Sequence, residues 1–157
     1  MLASDTPVRR TLAGMWSQRS VVDYALARRA TLADLFAGRA STYDVCDAHP
    51  YLLRAARFHG EQTEASCPVC RRERLTHVTY TYGDCFPKEV NGRVRAPAEL
   101  TRLARELAEF SVYVVEVCRG CGWNHLVTSY VLGTGQETAR SAAGSRRRKA
   151  RSGGADS

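Results

Sequence analysis

Two strings, Cys67-Pro68-Val69-Cys70 and Cys118-Arg119-Gly120-Cys121, constrain this 157-residue chain more than anything else in it. Cysteines three apart can aim both sulfurs at one point across a tight turn, and four thiolates about 2.3 Å from a common centre suit tetrahedral zinc. The glycines around the second pair supply backbone freedom for such a turn. The pattern points to one structural zinc ion per chain, with Cys67, Cys70, Cys118 and Cys121 as its ligands.

Other uses of the pairs fit less well. A thioredoxin-like redox centre is expected where a strand gives way to a helix, because the helix N-terminus lowers the thiol pKa; CPVC is followed instead by a strand pattern. Disulfides belong to oxidising compartments. The opening MLASDTPVRR has no apolar signal segment and no run is long enough to span a membrane, so the chain reads as cytoplasmic. The nucleoside-deaminase pattern, HxE followed by PCxxC, is echoed by His59-Gly60-Glu61 ahead of Cys67. There, however, the proline falls inside the CxxC, and Cys118 and Cys121 are left without a role.

The elements between and before the pairs set the fold class. Ser20-Val-Val-Asp23 has the form of a capping box, which predicts a helix over about residues 20–37 with Val22, Ala25, Leu32, Leu35 and Phe36 inward. Ser41-Thr-Tyr-Asp44 repeats the signal for a short helix. Pro50 predicts another over Tyr51 to Phe58, closed by Gly60. Leu75 to Tyr82 reads as a strand, Pro97 opens a helix with Leu100, Leu103, Leu107 and Phe110 at helical spacing, and strands follow at 111–118 and 125–132. An antiparallel return would carry the second CxxC back to the first, and the inserted helix accounts for the 47 residues between Cys70 and Cys118. The expectation is an α+β fold: an N-terminal helical segment (18–62) packed on a three-stranded antiparallel zinc ribbon with one inserted helix (63–133). Residues 1–17 and 134–157, poor in apolar periodicity, are expected to be disordered.

Charge narrows the partner. Of the net +7, residues 134–157 carry +4 and residues 1–14 carry +1, leaving +2 for the body. A duplex-binding protein usually has its basic face on the fold, so a protein partner is favoured, with nucleic acid as the alternative. Candidate contact residues are Arg71, Arg72, Arg74 and Arg119 at the knuckles, Trp123, and Arg146, Arg147, Arg148, Lys149 and Arg151 in the tail. Trp123 reads first as a cover over the metal knuckle, and His125 as a neighbour of the ligands. Cys46 and His49 have the spacing of a nucleophile and its base, but the plainer expectation is a buried thiol and an N-terminal helix residue. Cys85 is expected to be an exposed loop thiol. No catalytic constellation and no small-molecule site is legible, so the expectation is a non-enzymatic adaptor; a thiol redox protein is the remaining rival.

VVDYALARR (21–29), VCDAHPYLLRAARFHGE (45–61), CPVCRRERLTHVTYTYGD (67–84) and VVEVCRGCGWNHLVTSYVLG (114–133) together resemble an actinobacterial family of small zinc-ribbon-like proteins of unknown function. The resemblance spans about residues 18–133. It implies a paired-CxxC protein and no particular activity. It also implies a start near Met15, so residues 1–14 are read as an extension or a misassigned start.

Overall fold

The computed structural model describes residues 18–136. Within them six strands form one antiparallel sheet: β1 (Arg19–Asp23), β2 (Glu61–Ser66), β3 (Arg74–Tyr82), β4 (Arg93–Val94), β5 (Phe110–Val117) and β6 (Asn124–Leu132). The strand order is β1-β6-β5-β3-β2, with β4 also pairing to β3. Four helices accompany it: α1 (Ala25–Phe36), α2 (Thr42–Val45), α3 (Pro50–His59) and α4 (Pro97–Glu106). The mixed α and β content agrees with the sequence, and so do β3, β5, β6, α3, α4 and the capping box of Ser41 and Asp44. The expected three-stranded sheet has become six-stranded.

The capping box expected at Ser20 is a strand. Val21 and Val22 are β-branched and sit beside the edge of β6, where Val22 pairs with Ser129, so sheet pairing wins over the local helix signal. Asp23 keeps part of its expected role, because its carboxylate accepts from the Ala25 N–H at 2.8 Å as α1 begins. The inward face expected for this helix is only partly formed. Val22 is 46% and Phe36 63% exposed, and Leu32 and Leu35 are the members that pack on the core. Strand β2 (EQTEAS) escaped notice since it is an almost wholly exposed edge strand without apolar alternation. Phe110, expected on the α4 stripe, belongs to β5; α4 ends at Glu106 and the stripe carries on into the strand by coincidence of spacing.

Side chains alternate across a strand, so β5 divides its apolar residues between two layers. On one face Phe110 and Val112 meet Leu100 and Leu103 of α4, with Phe86 and Leu132. On the other, Val117 and its neighbour Val78 take Ala55 and Ala56 of α3. Gly60 lets α3 close onto the sheet, because a Cβ there would come within 2.3 Å of the Thr76 methyl. The remainder of that second face stays open: Tyr80, Tyr82, Tyr113, Val115 and Leu126 line a shallow groove of about 540 Å³. Beyond Leu132 the chain turns back on α4, with Thr134 and Gly135 donating to the carbonyls of Leu107 and Ala108, each at 2.9 Å. The tail lysine and arginines named above lie outside the described residues, as do residues 1–17.

Candidate metal centre

The return of β5 alongside β3 decides the site. Thr76 pairs with Val117, so the CxxC preceding β3 and the one following β5 meet at the same end of the sheet. Each pair is held by similar backbone bonds. Cys67 N–H donates to Glu73 and Cys118 N–H to Trp123, both at 2.8 Å, while Arg71 and Gly122 N–H return to the carbonyls of Cys67 and Cys118, both at 3.0 Å. The residue after each second cysteine is left-handed, φ being 58° at Arg71 and 86° at Gly122. The two knuckles share the turn over their cysteines, the first closing one residue later than the second, and only the second has glycine at the left-handed position.

This asymmetry gives a direct test. A Cβ on Gly122 would stand 3.0 Å from the Cys46 carbonyl oxygen in addition to the left-handed strain. Gly122→Ala is expected to destabilise the metal-loaded protein by about 1–2 kcal/mol, and Arg71→Gly, which relieves strain but loosens the unfolded chain, to stay within about 1 kcal/mol of the parent. Urea unfolding of both variants measures the difference; equal losses would mean that the left-handed backbone at Gly122 carries no such penalty.

The four sulfurs of Cys67, Cys70, Cys118 and Cys121 lie within 4.8 Å of one another and could hold a metal ion. Cys67 and Cys121 are 3.6 Å apart, and so are Cys70 and Cys118. Backbone N–H groups point at the sulfurs: Cys121 N–H to Cys118 Sγ and Trp123 N–H to Cys121 Sγ, each at 3.4 Å. Burial pushes the thiols of Cys67 and Cys118 up, and that of Cys121 up to about 12; the Arg72 N–H above all draws Cys70 down to about 7.

Around this set lie further residues, some expected from the sequence and some not. Cys46, expected only to be buried, stands half-buried with its Sγ 3.7 Å from that of Cys121, outside the mutually close four. The segment carrying it is pinned there by Ala48 N–H donating to Gly122 at 3.1 Å. Trp123 covers the knuckle as expected and is fully buried. Its indole N–H donates to Glu116 at 2.9 Å, and Glu116 in turn accepts from Arg28 of α1 at 2.5 Å. That chain of three ties α1 to the sheet and the knuckle to both. A carboxylate in the middle of the apolar run Val114-Val115-Glu116-Val117 was the sequence signal for it. His125 stacks on Trp123, its Nδ1 2.7 Å from the Leu126 carbonyl oxygen.

The other expected site residues are dispersed. His49 caps α3, its Nδ1 accepting from Tyr51 N–H at 3.2 Å, and Cys85 is exposed, donating to the Glu109 carbonyl. Arg71, Arg72 and Arg74 are exposed, and Arg74 is paired with Glu64 at 3.3 Å. Arg119 does not join them in a groove. It lines one with Arg54 and Arg57 of α3, two arginines the sequence reading passed over.

Comparison with known proteins places these features in a lineage. A family described as a family of unknown function (DUF5318) matches residues 15–148. The chain belongs to that family. Among DUF5318 relatives are the uncharacterised proteins Rv0049 of Mycobacterium tuberculosis (strain H37Rv) and Mb0050 of Mycobacterium bovis. Each is 53% identical over 112 residues, covering 71% of this chain and 81% of the relative. The actinobacterial resemblance is therefore sound. No solved structure matches the chain. Among the described residues, no helix of this DUF5318 protein is long and apolar enough to cross a membrane.

Proposed function

We propose that this protein is a non-enzymatic binding module of zinc-ribbon type, braced by one structural zinc ion and docking a protein partner. The observation that carries the reading is the closed set of four sulfurs. In a tetrahedron with bonds of about 2.3 Å the sulfur–sulfur edge is about 3.8 Å, close to the 3.6 Å seen for two of the pairs. Four thiolates leave zinc no position for water or substrate, so the metal supplies folding energy and not catalysis. Purified protein is expected to contain one zinc per chain.

For a partner, the open sheet face is the fitting surface. Its groove is lined by three tyrosines, a valine and a leucine, with no charged side chain among them. Tyrosines carry large contact area with a polar edge, the composition favoured at the centre of protein interfaces. An adaptor that meets the transcription or translation machinery through this face is the fold-level analogy that zinc ribbons suggest. Tyr113→Glu, which puts a charge in the groove, is expected to abolish capture of the partner by tagged protein at physiological salt without loss of zinc. Undiminished capture by that variant would rule the face out.

A further inference from the structure

Along α3 a second surface has a different chemistry. Arg54 and Arg57, with Arg119 from the second knuckle, line a concavity of about 340 Å³ together with Leu53 and Phe58. None of the three arginines has a carboxylate within 4.0 Å among the described residues, whereas Arg28, Arg39 and Arg74 each have one. Phe58 is 65% exposed, and the Arg57 guanidinium lies over its ring, 5.4 Å from the centroid. The same ring also borders a second groove of about 670 Å³, which continues past His59 to Arg93 of β4 and to Arg95, the latter paired with Glu99 in the same lining at 3.9 Å. The helix itself, PYLLRAARFH, contains no acidic residue.

A helix C-terminus attracts basic side chains by itself, and that accounts for Arg57 and His59. It does not account for Arg54 one turn earlier, nor for Arg119 reaching the same concavity from a different element. Unpaired guanidiniums converging from two elements suit oxyanions, which they can bind in bidentate fashion. An exposed phenyl ring lining the same concavity adds a surface for stacking. The geometry points to a binding site for single-stranded nucleic acid along α3, in which Arg54, Arg57 and Arg119 hold backbone phosphates and Phe58 stacks a base. A strand whose bases are free to splay can enter a concave basic groove and reach the ring; a duplex keeps its bases stacked inside. This site is separate from the tyrosine-lined face, so either can fail without the other.

The test is fluorescence anisotropy of a fluorescein-labelled 12-nucleotide oligouridylate with full-length, metal-loaded protein at two salt concentrations. Arg54→Ala/Arg57→Ala is expected to weaken binding about 10-fold or more and to reduce the slope of log K against log salt by about 1–2, since each phosphate contact on a single strand contributes about 0.7. Phe58→Ala is expected to weaken binding about 10-fold with the slope unchanged, the signature of lost stacking. Both arginines are exposed, and zinc content reports that the fold is intact; should the alanine variant lose zinc, Arg54→Gln/Arg57→Gln makes the same comparison. Wild-type affinity in the double variant would overturn the site and leave any binding to regions such as the basic tail. Tighter binding of a 12-base-pair duplex, or displacement of the oligonucleotide by an equimolar oligoglutamate, would overturn the assignment to a single strand in favour of a duplex or an acidic protein segment.

Discussion

Cys118→Ser is expected to lose the metal and the fold together. Cys118 is fully buried, its Sγ lies 3.6 Å from that of Cys70, and it directly follows Val117, the last residue of β5, at the start of the second knuckle. Serine offers no soft thiolate, and in small metal-braced domains the binding energy of the ion is folding energy. Chelation should therefore reproduce the variant. Cys85→Ser removes an exposed loop thiol and is expected to keep both metal and fold. Acid should act in the direction of the chelator: the thiols of Cys67, Cys118 and Cys121 are held above their ordinary range, so protons occupy them at neutral pH until an ion displaces them, and affinity for the ion falls as pH falls. Stoichiometric zinc in a folded Cys118→Ser protein would overturn the four-cysteine assignment.

Trp123→Ala is expected to give the largest loss outside the ligands. The ring is fully buried between the knuckle and Leu75, and its N–H occupies the buried Glu116 carboxylate. Removing it leaves a cavity and a carboxylate with one partner fewer, a loss of about 3–5 kcal/mol, on the order of 10 °C or more in Tm. Glu116→Gln keeps the shape and an acceptor for the indole, and weakens only the charged arm to Arg28; a loss of about 1–2 kcal/mol is expected. Thermal unfolding of both variants with zinc in excess separates the two. Similar small shifts would show that Trp123 is not a structural cover.

What the sequence disclosed follows the strength of its local signals. The candidate ligand set was legible because four identical side chains at repeated spacing have few other uses, and α3 because proline and glycine mark its ends. The first strand was hidden by a helix-start signal that is equally good as a short polar and β-branched edge. Strand β2 was hidden because an exposed edge strand buries nothing and so leaves no period. Cys46, Arg54 and Arg57 were unreadable for another reason: what they face comes from residues 62 or more positions away, Cys121 and Arg119. Glu116 was visible in principle, as a charge inside an apolar strand, but its partners Arg28 and Trp123 were not.

The pairing of β1 with β6 has a consequence for the order of events during synthesis. Arg19, in the first described strand, sits opposite Val131 in the last. Until β6 has been made, β1 has nothing to pair with, and once β6 forms without it the sheet ends in an unprotected edge open to other chains. The thiols follow the same timetable, since Cys70 waits for Cys118, 48 positions later. A growing chain therefore holds half of the candidate metal site and an unpaired β1 until nearly all of the described body has emerged. Such late, long-range closure slows folding and exposes it to aggregation; on the proposed zinc reading, the supply of the ion at the moment of completion is expected to set how many chains reach the folded state.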